Sequence, residues 1–405
     1  MSGRVRQADA PEALALERLR VVWRRWTVAG FGLLVAAALA LRPAAGDGLA
    51  LWLLVDSLCL VGVLLFIWSR LPENKRAQGG QLLSRFGAGN HVTVLRGVLL
   101  AQLPGYLLLP WPTGPQAWLP ALTFSGALVG DFVDGYLARR ANAVTGFGSA
   151  LDIEFDGLGL MAATALAVHY GQLPLLYFLT VGVARYVYLF AGWLARRLGR
   201  PTRPLPESST RRGLGGVSME LASAALWPIA PPEMMRLGAA ILAVPFLSGF
   251  LRDGLIHLGL LDPAWTPYVS LRRVVVDAVA DVLPVGLRAA LAAVLGPWLV
   301  GAATGFPGVV EAARRAGIGA AEAFVAIVLG VSALSLVLIV AGAAGRTGAV
   351  GLLVVYGLFL ALVELSPIGL TIWGLAVGIF LVGTGRLSIW QPERSLYQRQ
   401  AGARS

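Results

Sequence analysis

Residues 131–156 read DFVDGYLARRANAVTGFGSALDIEFD. Asp131 and Asp134 stand three residues apart and Asp152 and Asp156 four apart, and on a helix either separation returns to nearly the same face. A short turn between two such helices sets them antiparallel, so all four carboxylates can meet at one point. Apolar runs flank the acids, over residues 117–133 and 150–170. These runs are close to the ~17–25 residues that cross a bilayer. Carboxylates at the end of a hydrophobic span are costly and normally face a protein interior or a wet cavity.

The same pattern of long apolar runs extends through the chain. Runs cover residues 27–41, 49–68, 92–109, 174–195, 213–230 and 237–258, with a less distinct one at 287–303 and three more at 319–343, 348–363 and 368–383. About eleven or twelve spans are expected. Only 14% of the 405 residues are charged and 57% are hydrophobic, against roughly 25% charged in ordinary globular chains. The 50 Gly and 23 Pro suit transmembrane helices, where both are commoner than in soluble ones. The fold class expected is all-α, a polytopic integral membrane helical bundle. One cysteine, Cys59, and three histidines leave no intrachain disulfide and no Cys/His zinc site. A metal in this chain must therefore sit on carboxylates.

Before the first run lies a basic segment, whose residues 14–26 have the amphipathic character of a helix lying in the headgroup layer. The long polar leader favours an uncleaved first span over a signal peptide cut near Pro43 to Gly46. Lys and Arg concentrate in alternate short loops: Arg70, Lys75, Arg76 and Arg85, then Arg139 and Arg140, then Arg196 through Arg212. By the positive-inside rule these loops are cytoplasmic, which puts the acids at that boundary. Arg314 and Arg315 break the alternation if residues 287–303 span. The distribution of cations through membrane-flanking loops argues against nucleic-acid binding. The Ala/Gly/Arg-rich composition points to a multi-pass protein of a prokaryotic plasma membrane, with the net charge of +11 favouring anionic lipid surfaces.

Four clustered carboxylates repel one another unless compensated, and two divalent cations balance their charge. Oxygen-only ligation favours Mg²⁺ or Mn²⁺, and a two-metal centre suits displacement at phosphorus. Gly135 leaves space for close ligand approach, Arg139 offers a forked phosphate contact, Thr145 a hydroxyl, and Gly148 a close helix approach. Phosphotransfer is the direct chemical reading.

The segment resembles the signature of the CDP-alcohol phosphotransferases, D-x2-D-G-x2-A-R-x8-G-x3-D-x3-D, met at Asp131, Asp134, Gly135, Ala138, Arg139, Gly148, Asp152 and Asp156. A second stretch, Asn90-His91-Val92-Thr93-Val94-Leu95-Arg96, resembles the N-x2-T-x2-R entry to that family's first core helix. The resemblance implies a six-helix catalytic core at 81–260, preceded by the leader and two additional helices at 1–80 and followed by a membrane extension of unassigned role at 261–405. It implies that Asp131, Asp134 and Asp152 hold the metals, with Asp156 completing the site and acting as general base. Asn90, His91, Val92, Thr93, Gly135, Arg139 and Thr145 would hold the CDP donor. The implied reaction moves a substituted phosphate from a CDP-linked donor to an alcohol, releasing CMP. The donor is CDP-diacylglycerol with a small alcohol or phosphorylated polyol as acceptor, or the reverse arrangement with a CDP-linked polar alcohol and a lipid acceptor. Relatives with this core are often homodimers, so a second copy is an expected partner beside membrane lipids.

Arg185 lies inside an apolar span and is a candidate acceptor ligand; pairing with a helix carboxylate is its alternative reading. Arg211, Arg212 and Arg252 are candidates for an acceptor phosphate, or else ordinary positive-inside residues. Asp56, Glu220 and Glu364 also fall in apolar spans, where local pairing or an ion pathway would explain them. The readings from other classes are a polytopic transporter, favoured by spans beyond the six-helix core, and a catalytically inactive membrane scaffold, against which the intact signature argues.

Overall fold

The computed structural model of the chain describes residues 3–76, 80–141, 144–203, 209–385 and 387–390, and every regular element in them is helical. Two compact units divide the chain: residues 1–189 with 215–228, and residues 190–214 with 229–405. The first holds α1 (Gly3–Ala45), α2 (Leu49–Arg70), α3 (Ala88–Leu100), α4 (Leu119–Arg140), α5 (Gly146–His169) and the short α6 (Leu175–Tyr177). Helices α7 (Ala184–Arg197) and α8 (Ser209–Ala225) each have residues in both units. The second continues with α9 (Pro232–His257), α10 (Thr266–Asp277), α11 (Leu283–Thr304), α12 (Phe306–Arg315), α13 (Ala321–Ala341), α14 (Gly345–Gly351), α15 (Gly357–Leu362) and α16 (Pro367–Val382). These units do not follow the expected boundaries at 80 and 260, because the two N-terminal helices share one core with the helices that carry the acids. Ser208 of the polar run before Arg211, and residues 391–405 of the expected C-terminal extension, lie outside the described residues.

Among the described residues six helical segments are long and apolar enough to cross a membrane, seven if the bent pair Leu175–Gly182 and Ala184–Arg197 counts as one span. The chain is a multi-pass membrane protein. The segments are fewer than the apolar runs for identifiable reasons. The runs at 27–41 and 49–68 fall within one segment, Pro11–Glu73. Helix α4 carries two acids and is less apolar, α5 carries the three acids Asp152, Glu154 and Asp156, and α16 has only 16 residues.

Helix α1 departs from expectation. The basic segment 14–26 is not a separate helix in the headgroup layer but is continuous with the first apolar run. Its buried side chains Ala15 and Leu19, then Leu34, Ala38 and Leu41, recur at spacings of three or four, with half-buried Trp23, Trp26 and Thr27 between the two groups. Helix α2 answers with Trp52, Asp56, Leu60, Leu64 and Ile67. Spacings of three and four keep these side chains on one side of each helix, so the basic segment and the apolar run share a face. The Trp23 indole also donates to Leu64 O at 2.8 Å, and Trp23 meets the Trp68 ring edge-on.

Helix α3 is short. It stops at Leu100, and Pro104 opens a 3-10 turn over Pro104–Leu108. The break exposes a backbone N–H inside an apolar layer, and Asp56 of α2 takes it: Gly105 N donates to Asp56 Oδ1 at 2.6 Å. Asp56 is fully buried, so the intramembrane acid is paired locally with a freed backbone donor.

In the second unit, α12 is an amphipathic connector between α11 and α13. Val310 and Ala313 enter a cluster with Ala321 and Val325, while Arg314 pairs with Glu322 at 2.7 Å on the open side. Arg314 and Arg315 therefore lie on the open face of a short amphipathic helix between two apolar ones, not inside a span. Arg288 of α11 donates to the carbonyls of Thr384, Leu387 and Val340 and so ties the ends of α13 and α16 together.

Replacing Asp56 with Leu leaves the Gly105 N–H buried without an acceptor. The expected cost is about 1–3 kcal/mol, read as a lower melting temperature of the detergent-solubilised protein. Asp56→Asn keeps an acceptor oxygen and should retain most of the stability. Equal melting of Asp56→Leu and the parent protein would count against the role.

Candidate active site

Helices α3, α4 and α5 build the site. On α3, Asn90, Thr93 and Arg96 recur every three residues and so share a face. Arg96 projects from it into the acids of both neighbouring helices. Its guanidinium lies 2.7 Å from Asp131 Oδ1, 3.0 Å from Asp134 Oδ2, 2.7 Å from Asp152 Oδ1 and 2.7 Å from Asp156 Oδ1. Thr93 adds a hydroxyl, donating to Asp134 Oδ2 at 2.8 Å. Arg96 is 4% exposed, whereas Asp131, Asp152 and Asp156 keep side-chain exposures of 31%, 44% and 39%. The cation is thus sealed beneath acids that remain open on their other side. Gly130 makes this possible, because a Cβ there would fall 2.8 Å from Arg96 Cγ.

Four carboxylates against one guanidinium leave three formal negative charges that Arg96 does not compensate. Oxygen atoms of Asp131, Asp152 and Asp156 all lie within 4.8 Å of one another, close enough to share an ion. The donor set is oxygen only, which suits a hard divalent cation. By charge and by chemistry the residues fit the metal that the sequence implies.

The second polar centre lies at the start of α5. Thr145 caps that helix, its hydroxyl accepting from Gly148 N at 3.1 Å. Asn90 donates to Thr145 Oγ1 at 3.1 Å and to Asn74 Oδ1 at 3.0 Å, and Thr145 donates back to Asn90 Oδ1 at 3.3 Å. Asn74 in turn donates to the carbonyls of Leu83 and Arg85, both at 3.0 Å. Asn74, Asn90 and Thr145 are buried. Gly148 is needed for the approach, since a Cβ would sit 2.7 Å from Asn90 Oδ1. This knot sets the register of α5 against α3, and with it the height of Asp152 and Asp156.

The structure therefore brings together Asp131, Asp134, Asp152, Asp156 and Thr93, and separately Asn90, Thr145 and Gly148. Ala138 packs against Gly89 of α3, and Val92 packs toward Gly130 of α4. Arg139 lies over Gly135, exposed and without an ion-pair partner among the described residues. His91 turns away from the acids and accepts from the Trp26 indole at 3.0 Å. Arg185 pairs with Glu154 at 2.8 Å, the carboxylate pairing that was its alternative reading. In the second unit Arg211 and Arg252 share Asp253, at 2.9 and 2.6 Å, while Arg212 is exposed.

Three participants escaped the sequence reading. Arg96 stood inside a quoted motif without a role, although its spacing from Asn90 and Thr93 marks one helix face. Asp253 was hidden as the neighbour of Arg252. Asn74 lies outside both motifs, and no local pattern distinguishes it from a loop asparagine.

Residues 87–249 match the family described as CDP-alcohol phosphatidyltransferase. Over 118 residues the chain is 37% identical to a CDP-diacylglycerol–glycerol-3-phosphate 3-phosphatidyltransferase of Pseudomonas fluorescens, covering 28% of this chain and 58% of that relative. Over 70 residues it is 42% identical to a protein of the same description from Rickettsia bellii (strain RML369-C), covering 17% of this chain and 37% of the relative. The chain thus spans less than two thirds of the length of either. No solved structure matches it.

Arg96→Gln removes the buried cation that four acids share and leaves them to repel one another, three of them partly screened by solvent. In chelator-treated protein the melting temperature should fall clearly below that of the parent. An unchanged melting temperature would remove Arg96 from the centre of the site.

Proposed function

We propose that this chain, whose residues 87–249 form a CDP-alcohol phosphatidyltransferase domain, transfers a phosphatidyl group from CDP-diacylglycerol to an alcohol and releases CMP, as a step of phospholipid synthesis. The observation that supports it most is the convergence of Asp131, Asp134, Asp152 and Asp156 on one point, with net negative charge left over after Arg96. Asp131, Asp134, Asp152 and Asp156 would hold two divalent cations, Mg²⁺ or Mn²⁺. Bound there, the cations supply neutralisation of diphosphate charge and stabilisation of the leaving group.

The remaining steps belong to side chains. Arg139, exposed and unpaired among the described residues, takes a phosphate oxygen of the donor through its forked donors. Asn90 and Thr145 act on the donor by fixing the start of α5, and Thr93 by holding Asp134 in place. Asp156 accepts the proton of the acceptor hydroxyl. The acceptor oxygen then bonds to the β-phosphorus as the bond from that phosphorus to the CMP oxygen breaks, and CMP leaves with its electron pair. Glycerol 3-phosphate is the first acceptor to test, because it is named in both relatives. Arg185, held by Glu154, is the acceptor candidate within the first unit. Arg211, Arg212 and Arg252 are the candidates from sequence for an acceptor phosphate. The arginine-bearing loops support a site at the cytoplasmic face of a plasma membrane.

The test is CMP release by purified protein with CDP-diacylglycerol and Mg²⁺ or Mn²⁺, with glycerol 3-phosphate, inositol 1-phosphate, myo-inositol and serine supplied separately. Acceptor-dependent release is expected, abolished in Asp156→Asn with membrane insertion unchanged. Arg139→Ala should raise the donor KM by about tenfold or more, corresponding to one lost charge-assisted contact of roughly 1.5–3 kcal/mol. Full activity in Asp156→Asn would overturn its role as base, and donor binding without release for any acceptor would turn attention to lipid acceptors.

A further inference from the structure

A cavity of about 510 Å³ opens between α1 and the entry to α3. Val22, Arg25, Trp26 and Ala29 line it from α1, and Arg85, Phe86 and His91 from the other side. It lies on a different side of α3 from the acids. Asn90, Thr93 and Arg96 point to the polar knot and the carboxylates, whereas His91, about 100° further round the helix, reaches Trp26. Among the described residues both cations of the cavity are free: the guanidinium groups of Arg25 and Arg85 have neither ion-pair nor hydrogen-bond partners, and no acid lines the space. Two unpaired arginines facing one cavity are an anion site by charge.

The walls restrict what kind of anion fits. Phe86 stacks on buried Phe147 at 4.8 Å and meets His91 edge-on at 5.6 Å, which fixes one apolar side. Trp26 donates to His91 Nδ1, so the ring's proton is on its other nitrogen as a further donor. On α1 the spacing of Val22, Arg25, Trp26 and Ala29 defines one helix face, and the next residues of that face are Gly32 and partly exposed Leu33. Beyond the arginines the wall therefore runs on as apolar helix surface. A free anion would use only the cationic end, whereas an amphiphile uses both.

We propose that this cavity binds the phosphate group of an anionic membrane lipid, with an acyl chain along the α1 face that continues from Ala29, and that it is a lipid site separate from the carboxylate centre. Arg25 and Arg85 supply charge-assisted hydrogen bonds to phosphate oxygens, for which their planar donor forks are suited. The assignment does not depend on the phosphatidyl-transfer reading, because none of its lining residues is an acid of that site.

Full-length protein in phosphatidylcholine nanodiscs is titrated with phosphatidic acid, and bound lipid is counted by native mass spectrometry after ejection. Saturable binding is expected, weakened at least about tenfold in R25Q/R85Q at an unchanged melting temperature and largely kept in R25K/R85K. Ala29→Phe, which fills the apolar end and leaves both cations, should weaken it as well and serves if the double variant does not fold. Equal affinity of R25Q/R85Q, Ala29→Phe and the parent protein would overturn the site. Competitive displacement by CDP-diacylglycerol would merge the cavity with the carboxylate centre, and equal occupancy by inorganic phosphate would replace the lipid by a soluble anion; either result overturns the proposal as stated.

Discussion

A guanidinium sealed under four carboxylates governs the arrangement of the first unit. Like charges brought together at the end of apolar helices repel, and helices that carry them separate unless something between them is positive. Arg96 supplies that charge from a third helix, so α3, α4 and α5 are held by one electrostatic contact as well as by packing. Its burial and the openness of the acids set a direction. The compensated side faces the protein, and the uncompensated side faces whatever cation or phosphate arrives.

The height of each acid along its helix is fixed elsewhere. Asn74, Asn90 and Thr145 form a buried polar knot in which each side chain is bonded to at least one of the others. Buried polar groups are costly when unpaired, so a satisfied network of this kind tolerates one register and resists neighbouring ones. A shift of α5 by one residue would turn Asp152 and Asp156 about 100° away from Arg96. The residues that resemblance assigns to the CDP donor thus contribute first as the scaffold that aligns the acids.

The all-helical membrane fold was legible from the apolar runs, and the pairing of the acids from spacings of three and four. Both are local, periodic properties of a helix, which sequence displays directly. What was not legible came from contacts between distant segments. The basic segment and the apolar run of α1 share a face matched by α2, and the basic residues on its outer side disguise it as an interfacial helix. Local pairing was an expected reading of Asp56, but its partner is a backbone N–H, that of Gly105, which the break at Pro104 frees. Asn74 acquires its role only because residues 74 and 90 meet, and no motif spans them.

Asp56 and Asn74 both lie before residue 87, where the family match begins, yet each completes a bond that the matched region cannot complete alone. A chain pared down to residues 87–249 would lose the acceptor for the Gly105 N–H and the partner that orients Asn90. The two extra helices are therefore not an appendage that could be exchanged for another. Removing such partners would leave buried polar groups unsatisfied, which makes the added helices costly to lose. The match by similarity begins at residue 87, while the physical boundary of the helical unit that holds the four acids lies further toward the N-terminus.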